Sequence, residues 1–195
     1  MGVDPNEIGI RKFLKLKIIV LWLQKEPRFD KYAYYGCHCL AEGSHNIGTS
    51  SYGKPIDPLD RACKDFKNCY KCLEDEYTDS ENGCRGGKIG YSIDLNENIN
   101  TGRKSIECTN TVNSCEYNIC QCDKALAQKL AMHEDSWDQN LHAVHGGFVR
   151  EDYCYRSGGG TFEDCCGDKT TFPFNQPRQS DQCCDGYMSR DAGTC

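Results

Sequence analysis

The residues of this sequence that could do chemistry are five histidines and sixteen cysteines. Two of the histidines, His142 and His145, stand three positions apart and would share one face of a helix, as zinc ligands often do. No cysteine or carboxylate completes that pair at a suitable spacing, so we interpret the histidines as ordinary surface side chains and predict no metal site. Cys69 and Cys72 have a Cys-x-x-Cys spacing, but nothing around it favours a redox role.

The cysteine content indicates where the chain folds. Leu, Ile, Val and Phe together make up only 34 of 195 residues, which is little for a large core. Chains of this kind are commonly held by disulfides, which persist in oxidising compartments. We therefore expect a secreted, extracellular protein. The net charge of −6 argues against nucleic-acid binding. The longest apolar run, residues 18–23, is too short to cross a membrane.

The first predicted element is an amphipathic helix over residues 7–24, with Asn6 as its N-cap and Pro27 beyond its end. Apolar residues recur at helical spacing and form the predicted core-facing stripe, which consists of Ile10, Phe13, Leu14, Ile18 and Leu21. Lys12, Lys15 and Lys25 are predicted to lie away from that stripe. We interpret the helix as packing on the core, with a membrane-surface helix as the alternative.

Two more helices and a hairpin follow a glycine-rich loop over residues 35–56. Asp57-Pro58 is a strong helix start, and the helix that it begins runs to about Tyr77. Strand-like segments at 91–95 and 104–108 predict a β-hairpin. A last long helix over about 116–133 carries an apolar stripe of Ile119, Cys122, Leu126 and Leu130.

Residues 146–195 differ from the rest because they are rich in glycine and aromatic residues and lack periodicity. We predict a first domain over 1–145 and a small, irregular, cysteine-rich C-terminal module over 146–195. Adjacent cysteines rarely bond each other because the ring is strained. Six cysteines allow fifteen connectivities, and the sequence leaves the choice open. They are Cys154, Cys165, Cys166, Cys183, Cys184 and Cys195.

Three motifs with a specific cysteine spacing identify a family. They are Tyr35-Gly-Cys-His-Cys39, Pro55-Ile-Asp-Pro-Leu-Asp-Arg-Ala-Cys-Lys-Asp-Phe-Lys-Asn-Cys-Tyr70, and Cys108-x6-Cys115-x4-Cys120-x-Cys122-Asp123. In these residues the chain resembles the secreted phospholipase A2 family, over about residues 8–135. The resemblance implies a mainly α, disulfide-rich fold. It would contain an N-terminal helix, two long antiparallel helices linked by disulfides, and a small β-hairpin.

The resemblance also implies a disulfide pairing, Cys39–Cys63, Cys69–Cys122, Cys84–Cys115 and Cys108–Cys120. One family disulfide is missing at both ends, where Ala62 and Lys129 stand, and the joint loss supports the alignment. In the family the Cys37 position pairs with a C-terminal extension, so a link from Cys37 into the tail is expected. Cys37, Cys72 and the six tail cysteines are otherwise unassigned.

The family's catalytic residues are replaced in this sequence. The resemblance implies a general-base His with an adjacent Asp that holds a calcium ion together with loop carbonyls. Phe66 and Lys67 occupy those two positions. Fifteen residues separate Cys39 from Pro55, against seven in the family, and Leu40 replaces a loop glycine. We therefore predict neither calcium at this site nor catalysis.

Three polar residues of the family site remain, namely Tyr70, Tyr91 and Asp123. One hypothesis pairs Lys67 with Asp123, and the other has the remaining groups satisfy each other's buried polar atoms.

The sequence supports a non-catalytic, secreted phospholipase A2-like protein that binds an extracellular protein, a matrix or a mineral surface. One alternative is a lipid- or fatty-acid-binding or membrane-active protein without hydrolysis, in which Phe66 lines an apolar channel. Calcium-dependent phospholipase A2 activity is the alternative that the replaced residues argue against. A different hydrolase using His133, His142 or His145 has no support beyond those histidines.

Overall fold

The computed structural model describes residues 5–39, 51–78, 83–155, 165–171, 182–186, 188–191 and 193–194. Its helices are α1 (Pro5–Leu23), α2 (Pro58–Glu76), α3 (Cys115–Met132) and the short α4 (Arg150–Tyr153). Its strands are β1 (Ile93–Glu97), β2 (Lys104–Cys108), β3 (Gln182–Asp185) and β4 (Met188–Asp191). Single 3₁₀ turns lie at Asp30–Tyr32, Glu134–Ser136 and Gln139–Leu141.

The start of α2 is fixed by its predicted cap. The Asp57 carboxylate accepts a hydrogen bond from the backbone N–H of Asp60 at 2.7 Å, and Pro58 occupies the first helical position. The same carboxylate accepts a hydrogen bond from the Tyr35 hydroxyl. Asp57 therefore joins the start of α2 to the first residue of the glycine-rich loop.

Helices α2 and α3 run antiparallel, as predicted. Cys69 of α2 is bonded to Cys122 of α3, and Asp65, one turn earlier in α2, is paired with Lys129, two turns later in α3. Helix α1 packs on α3, and the three helices enclose a core of Leu16, Ile19, Leu59, Leu73, Ile119, Leu126 and Leu130.

The predicted core-facing stripe of α1 is wrong for three of its five residues, whereas Phe13 and Leu21 pack against the core as predicted. Ile10, Leu14 and Ile18 are 48%, 49% and 52% exposed, and the face that packs on the core carries Lys12, Leu16, Ile19 and Val20. Both faces of α1 are largely apolar, so periodicity alone did not distinguish them. A lysine lies on the buried face because a carboxylate of α3 meets it there.

The predicted hairpin is present, with β1 and β2 antiparallel and Leu95 opposite Ile106. A second antiparallel pair, β3 with β4, lies in the tail. This pair was not predicted, although Asp185-Gly186 is a hairpin signal and Gly186 has the positive φ of 60° that such a turn requires.

Among the described residues, seven disulfides are formed. Four of them are the pairs that the family resemblance implies. Cys37 bonds Cys154, which is a link into the tail as expected, and Cys72 bonds Cys165. Cys166 bonds Cys184, so the adjacent Cys165 and Cys166 have different partners. Cys195 and the side chain of Cys183 lie outside the described residues.

The tail contacts the helical body beyond its disulfides. The Asn118 amide donates to the carbonyl of Lys169 at 3.0 Å, and the backbone N–H of Lys169 donates to Glu76 at 2.9 Å. The domain boundary near residue 146 stays a prediction. No helix in the described part of the chain has the length and apolar character needed to cross a membrane.

Candidate functional site

Phe66 and Lys67, at the positions that the resemblance assigns to the catalytic pair, both lie on the buried face of α2. The Phe66 ring packs against Tyr70, with 4.4 Å between ring centroids. It also lines a cavity of about 350 Å³ between α2 and α3, with Ala62, Leu126 and Met132 among its walls. A benzyl group has no titratable atom, so this position cannot accept a proton from water.

The Lys67 side chain is 7% exposed, and its ammonium has no hydrogen-bond partner among the described residues. Burial lowers the pKa of Lys67 to about 7, the nearby Arg150 acts in the same direction, and Asp60 opposes them. The hypothesis that Lys67 pairs with Asp123 is wrong, because Asp123 is bonded to other groups. Lys67 therefore places a partly neutral, buried amine on this side of α2.

The Asp123 carboxylate forms the centre of a buried polar cluster. It accepts hydrogen bonds from the hydroxyls of Tyr70 and Tyr91, the second at 2.6 Å, and it is paired with the ammonium of Lys12. Lys12 also donates to the Tyr70 hydroxyl at 2.6 Å. Tyr70, Tyr91 and Asp123 thus lie together, as the hypothesis of mutual satisfaction expects, with Lys12 as a fourth member.

Lys12 is 4% exposed and Asp123 is fully buried. Desolvation lowers the pKa of Lys12, and the charge and hydrogen bond of Asp123 oppose it. Burial and the Asp123 carboxylate raise the pKa values of Tyr70 and Tyr91. Both tyrosines therefore stay neutral and act as donors. The prediction that Lys12 lies away from the core is wrong because its charge is paired here.

Asp60 fixes the backbone of residues 37 and 38, near the start of the glycine-rich loop. Its carboxylate accepts from the backbone N–H groups of His38 at 2.6 Å and Ile56 at 3.1 Å, and from that of Cys37. Burial raises the pKa of Asp60 against these hydrogen bonds. Gly36 has a φ of 57°, and a Cβ there would lie 2.6 Å from Asp60 Cγ, so the close approach requires glycine. Residues 40–50 of the loop lie outside the described residues.

The described side chains near Lys67 do not fit the calcium ion that the family implies. Calcium requires several oxygen ligands, commonly carboxylates, and here the carboxylate position carries an ammonium. The Asp60 carboxylate is already engaged by three backbone N–H groups. Arg150 and the protonated form of Lys67 act on this region as positive charges. At about 4 Å and an effective dielectric of 20, each unit charge would repel a dication by about 8 kcal/mol.

The interpretation of the histidines as surface side chains is wrong for two of them. His142 is buried, and its Nδ1 accepts from the backbone N–H groups of Val144 and His145, each at 3.1 Å, while its Nε2 lies 3.3 Å from the Asp30 carbonyl. His38 is buried with Nε2 3.0 Å from the Gly53 carbonyl. Burial, with Lys67 acting in the same direction, lowers the pKa of His38 to about 3. In the described ranges no group of three or more candidate ligands could hold a metal.

The missing family disulfide is replaced by an ion pair. Lys129, at one of the two former cysteine positions, donates to Asp65 of α2 at 2.6 Å. Both side chains are partly exposed, so the pair is screened by solvent and contributes less than the roughly 2–4 kcal/mol expected of a disulfide. It joins the same two helices and borders the cavity beside Phe66.

The part that Lys12 plays in the site was not predicted from the sequence. A signal was available, since Lys12, Leu16, Ile19 and Leu23 follow the helical repeat as closely as the stripe that was chosen. A lysine in an otherwise apolar face indicates a buried carboxylate elsewhere in the chain.

Sequence comparisons with known proteins identify relatives of this chain. The family model described as phospholipase A2 matches residues 13–142. A protein of Calliactis polypus named phospholipase A2 is 28% identical over 64% of this chain and 63% of its own length. The proteins named membrane-associated phospholipase A2 of Mus musculus and Bos taurus are 35% and 31% identical, over 54% and 72% of this chain and 59% and 79% of their own lengths. The chain thus spans less than two thirds of the first two relatives.

Replacement of Lys12 by Met tests the buried cluster. The variant leaves the Asp123 charge without its counterion, and breaking a buried pair on one side costs about 3–5 kcal/mol. We expect a loss of that size in the free energy of unfolding, measured by urea titration with the disulfides intact. Lys25→Met removes one partner of an exposed pair with Asp135, and we expect no change there. Equal stability of the two variants would contradict the paired geometry.

The lowered pKa of Lys67 predicts a pH dependence of stability. Between the folded value of about 7 and the ordinary value of 10.5, the unfolded chain binds more protons, so stability rises with pH. The rise amounts to at most about 1.4 kcal/mol per pH unit. Urea unfolding at about pH 7 and about pH 9 should show this slope in the parent and in Lys88→Met, which alters an exposed lysine. The slope should be smaller in Lys67→Met, where the lowered pKa of Lys12 still contributes to it. An unchanged slope there would show that Lys67 is not a source of the pH dependence.

Proposed function

The chain belongs to the phospholipase A2 family, and from that premise we propose that it is a secreted, non-catalytic member that binds an extracellular partner. The partner would be another extracellular protein, a matrix or a mineral surface. The observation that carries this proposal is the buried Phe66–Lys67 pair on α2, at the positions where the family places its base and its calcium carboxylate.

The proposed loss of hydrolysis follows from the chemistry of these two residues. Without an imidazole at position 66, the position that the family uses for its general base cannot activate a water molecule, and the neighbouring Tyr70 and Tyr91 stay protonated. Without a carboxylate at position 67, the site lacks the ligand that would hold a calcium ion against the developing negative charge. The relatives are named as phospholipases, but we do not propose that activity for this chain.

The disulfides support an extracellular location. Seven cross-links in the described part of the chain are formed efficiently only in an oxidising compartment. A scaffold fixed in this way keeps its shape without a catalytic role. The tail adds exposed aromatic rings at Tyr153 and Tyr155, and exposed tyrosines are frequent in binding surfaces.

A phospholipid hydrolysis assay tests the proposal. We expect no release of fatty acid from mixed phosphatidylcholine–detergent micelles in millimolar calcium, under conditions where a calcium-dependent phospholipase A2 is active. Phe66→Ala and Lys67→Ala variants serve as site controls. Turnover that a chelator abolishes, and that either substitution changes, would overturn the proposed loss of activity.

A second candidate function, lipid binding without hydrolysis, is favoured by the exposed side of α1. Ile10, Leu14 and Ile18 follow one another at four-residue spacing and are each about half exposed. An apolar ridge of this kind can enter the headgroup boundary of a bilayer. The cavity of about 350 Å³ beside Phe66 is at the small end of ligand pockets and could accept part of an acyl chain.

Vesicle co-sedimentation tests this second candidate. Because the chain carries a net charge of −6, zwitterionic phosphatidylcholine vesicles are the appropriate probe. If the ridge binds lipid, the double variant Leu14→Asp, Ile18→Asp loses co-sedimentation, and the matched variant Ile99→Asp, Val112→Asp, which alters exposed apolar residues elsewhere, keeps it. Absence of parent protein from the pellet would rule out this function.

A further inference from the structure

A groove of about 770 Å³ lies where the end of α1, β2 and α3 meet. It borders the cavity beside Phe66, because Met132 lines both, but neither Phe66 nor Lys67 lines the groove. One wall is the end of α1 with the residues after it, the second is β2 with its preceding turn, and the third is the later half of α3. The groove is partly open to solvent.

The charges in this groove have the opposite sign to the protein as a whole. Its walls carry four basic residues and no acidic one, namely Lys25, Arg103, Lys104 and Lys124, in a chain of net charge −6. The Lys104 ammonium lies over the Trp22 ring, 4.9 Å from its centroid, and the Trp22 indole donates to the Ser105 carbonyl at 3.3 Å. Lys25 is paired with the exposed Asp135. The β2 and α3 walls of the groove therefore present positive charge, while the charge of Lys25 is balanced by Asp135.

Gln24 also lines the groove, but its side-chain amide is buried. Its Oε1 accepts from the hydroxyl of the fully buried Tyr32 at 2.6 Å, and its Nε2 is inaccessible to solvent. The recognition of a ligand in the groove therefore depends on the basic and apolar residues of its walls.

Four of the remaining lining residues have apolar side chains. They are Leu23, Ile106, Ala131 and Met132, the last of which is largely exposed. An exposed methionine can adapt its shape to an apolar group. A ligand with both negative charges and apolar groups would therefore be complementary to this lining. A sulfated glycan lacks the large apolar groups, and a flat bilayer surface does not enter a concave groove.

We propose that this groove binds an acidic peptide segment of a partner protein, one that carries one or two large apolar side chains between its carboxylates. The carboxylates pair with Arg103, Lys104 and Lys124, and the apolar side chains pack on Leu23 and Met132. The site lies outside the Phe66–Lys67 region, so the result of the hydrolysis assay does not decide it.

Fluorescence anisotropy with a labelled Glu-Leu-Glu-Glu-Leu-Glu peptide tests this assignment. We expect saturable binding at low ionic strength that weakens at about 0.3 M salt, because the contacts are largely ionic. The variant Arg103→Glu, Lys124→Glu should weaken binding about tenfold or more. The matched variant Lys54→Glu, Lys88→Glu changes the net charge equally at exposed sites outside the groove and should bind as the parent does. A Glu-Ser-Glu-Glu-Ser-Glu peptide should bind more weakly, because it lacks the apolar groups.

Several results would overturn the proposal. Absence of peptide binding to the parent is one, and equal weakening by the two double variants is another, since it would indicate general charge attraction. Equal binding of the serine and leucine peptides would show that apolar contacts do not contribute to binding. Heparin or anionic vesicles that bind through Arg103 and Lys124, while the peptide does not, would assign the groove to a different class of partner.

Discussion

The ion pair between Lys12 and Asp123 is the interaction on which the arrangement of the helices depends. It joins α1 to α3 inside the core, and two tyrosine hydroxyls complete the hydrogen bonds of the carboxylate. A buried pair contributes little net stability, because desolvation offsets the attraction, but the loss of either partner leaves an uncompensated charge. The pair therefore fixes which face of α1 turns inward, and Ile10, Leu14 and Ile18 are left on the outside as a consequence.

The two lysines near the family's site differ in what compensates their charge. Lys12 lies against a carboxylate, whereas Lys67 is nearly as buried and has no hydrogen-bond partner among the residues described. The hydrogen-bonded residues around Asp123 that surround the family's site are thus present. At the two positions of the family's catalytic pair, a benzyl group and a partly neutral amine stand instead. We infer that the scaffold has been retained for its shape and surface rather than for hydrolysis.

Much of the fold could be predicted from the sequence because its signals are local or are set by cysteine spacing. Asp57-Pro58 predicted the start of α2, and the strand-like segments predicted the first hairpin. The motifs around Cys39, Cys69 and Cys122 indicated the family. Periodicity alone did not select the inward face of α1, since that face also depends on a carboxylate more than a hundred residues away. The burial of His38 and His142 depends on backbone carbonyls that only the folded chain brings near.

Calorimetric titration of the intact protein with calcium tests the central claim most directly, because it measures the site without requiring a substrate. With an ammonium in place of the carboxylate ligand, the account predicts no binding heat at millimolar calcium for the parent. One calcium ion bound per chain, with binding altered by Lys67→Ala, would contradict it.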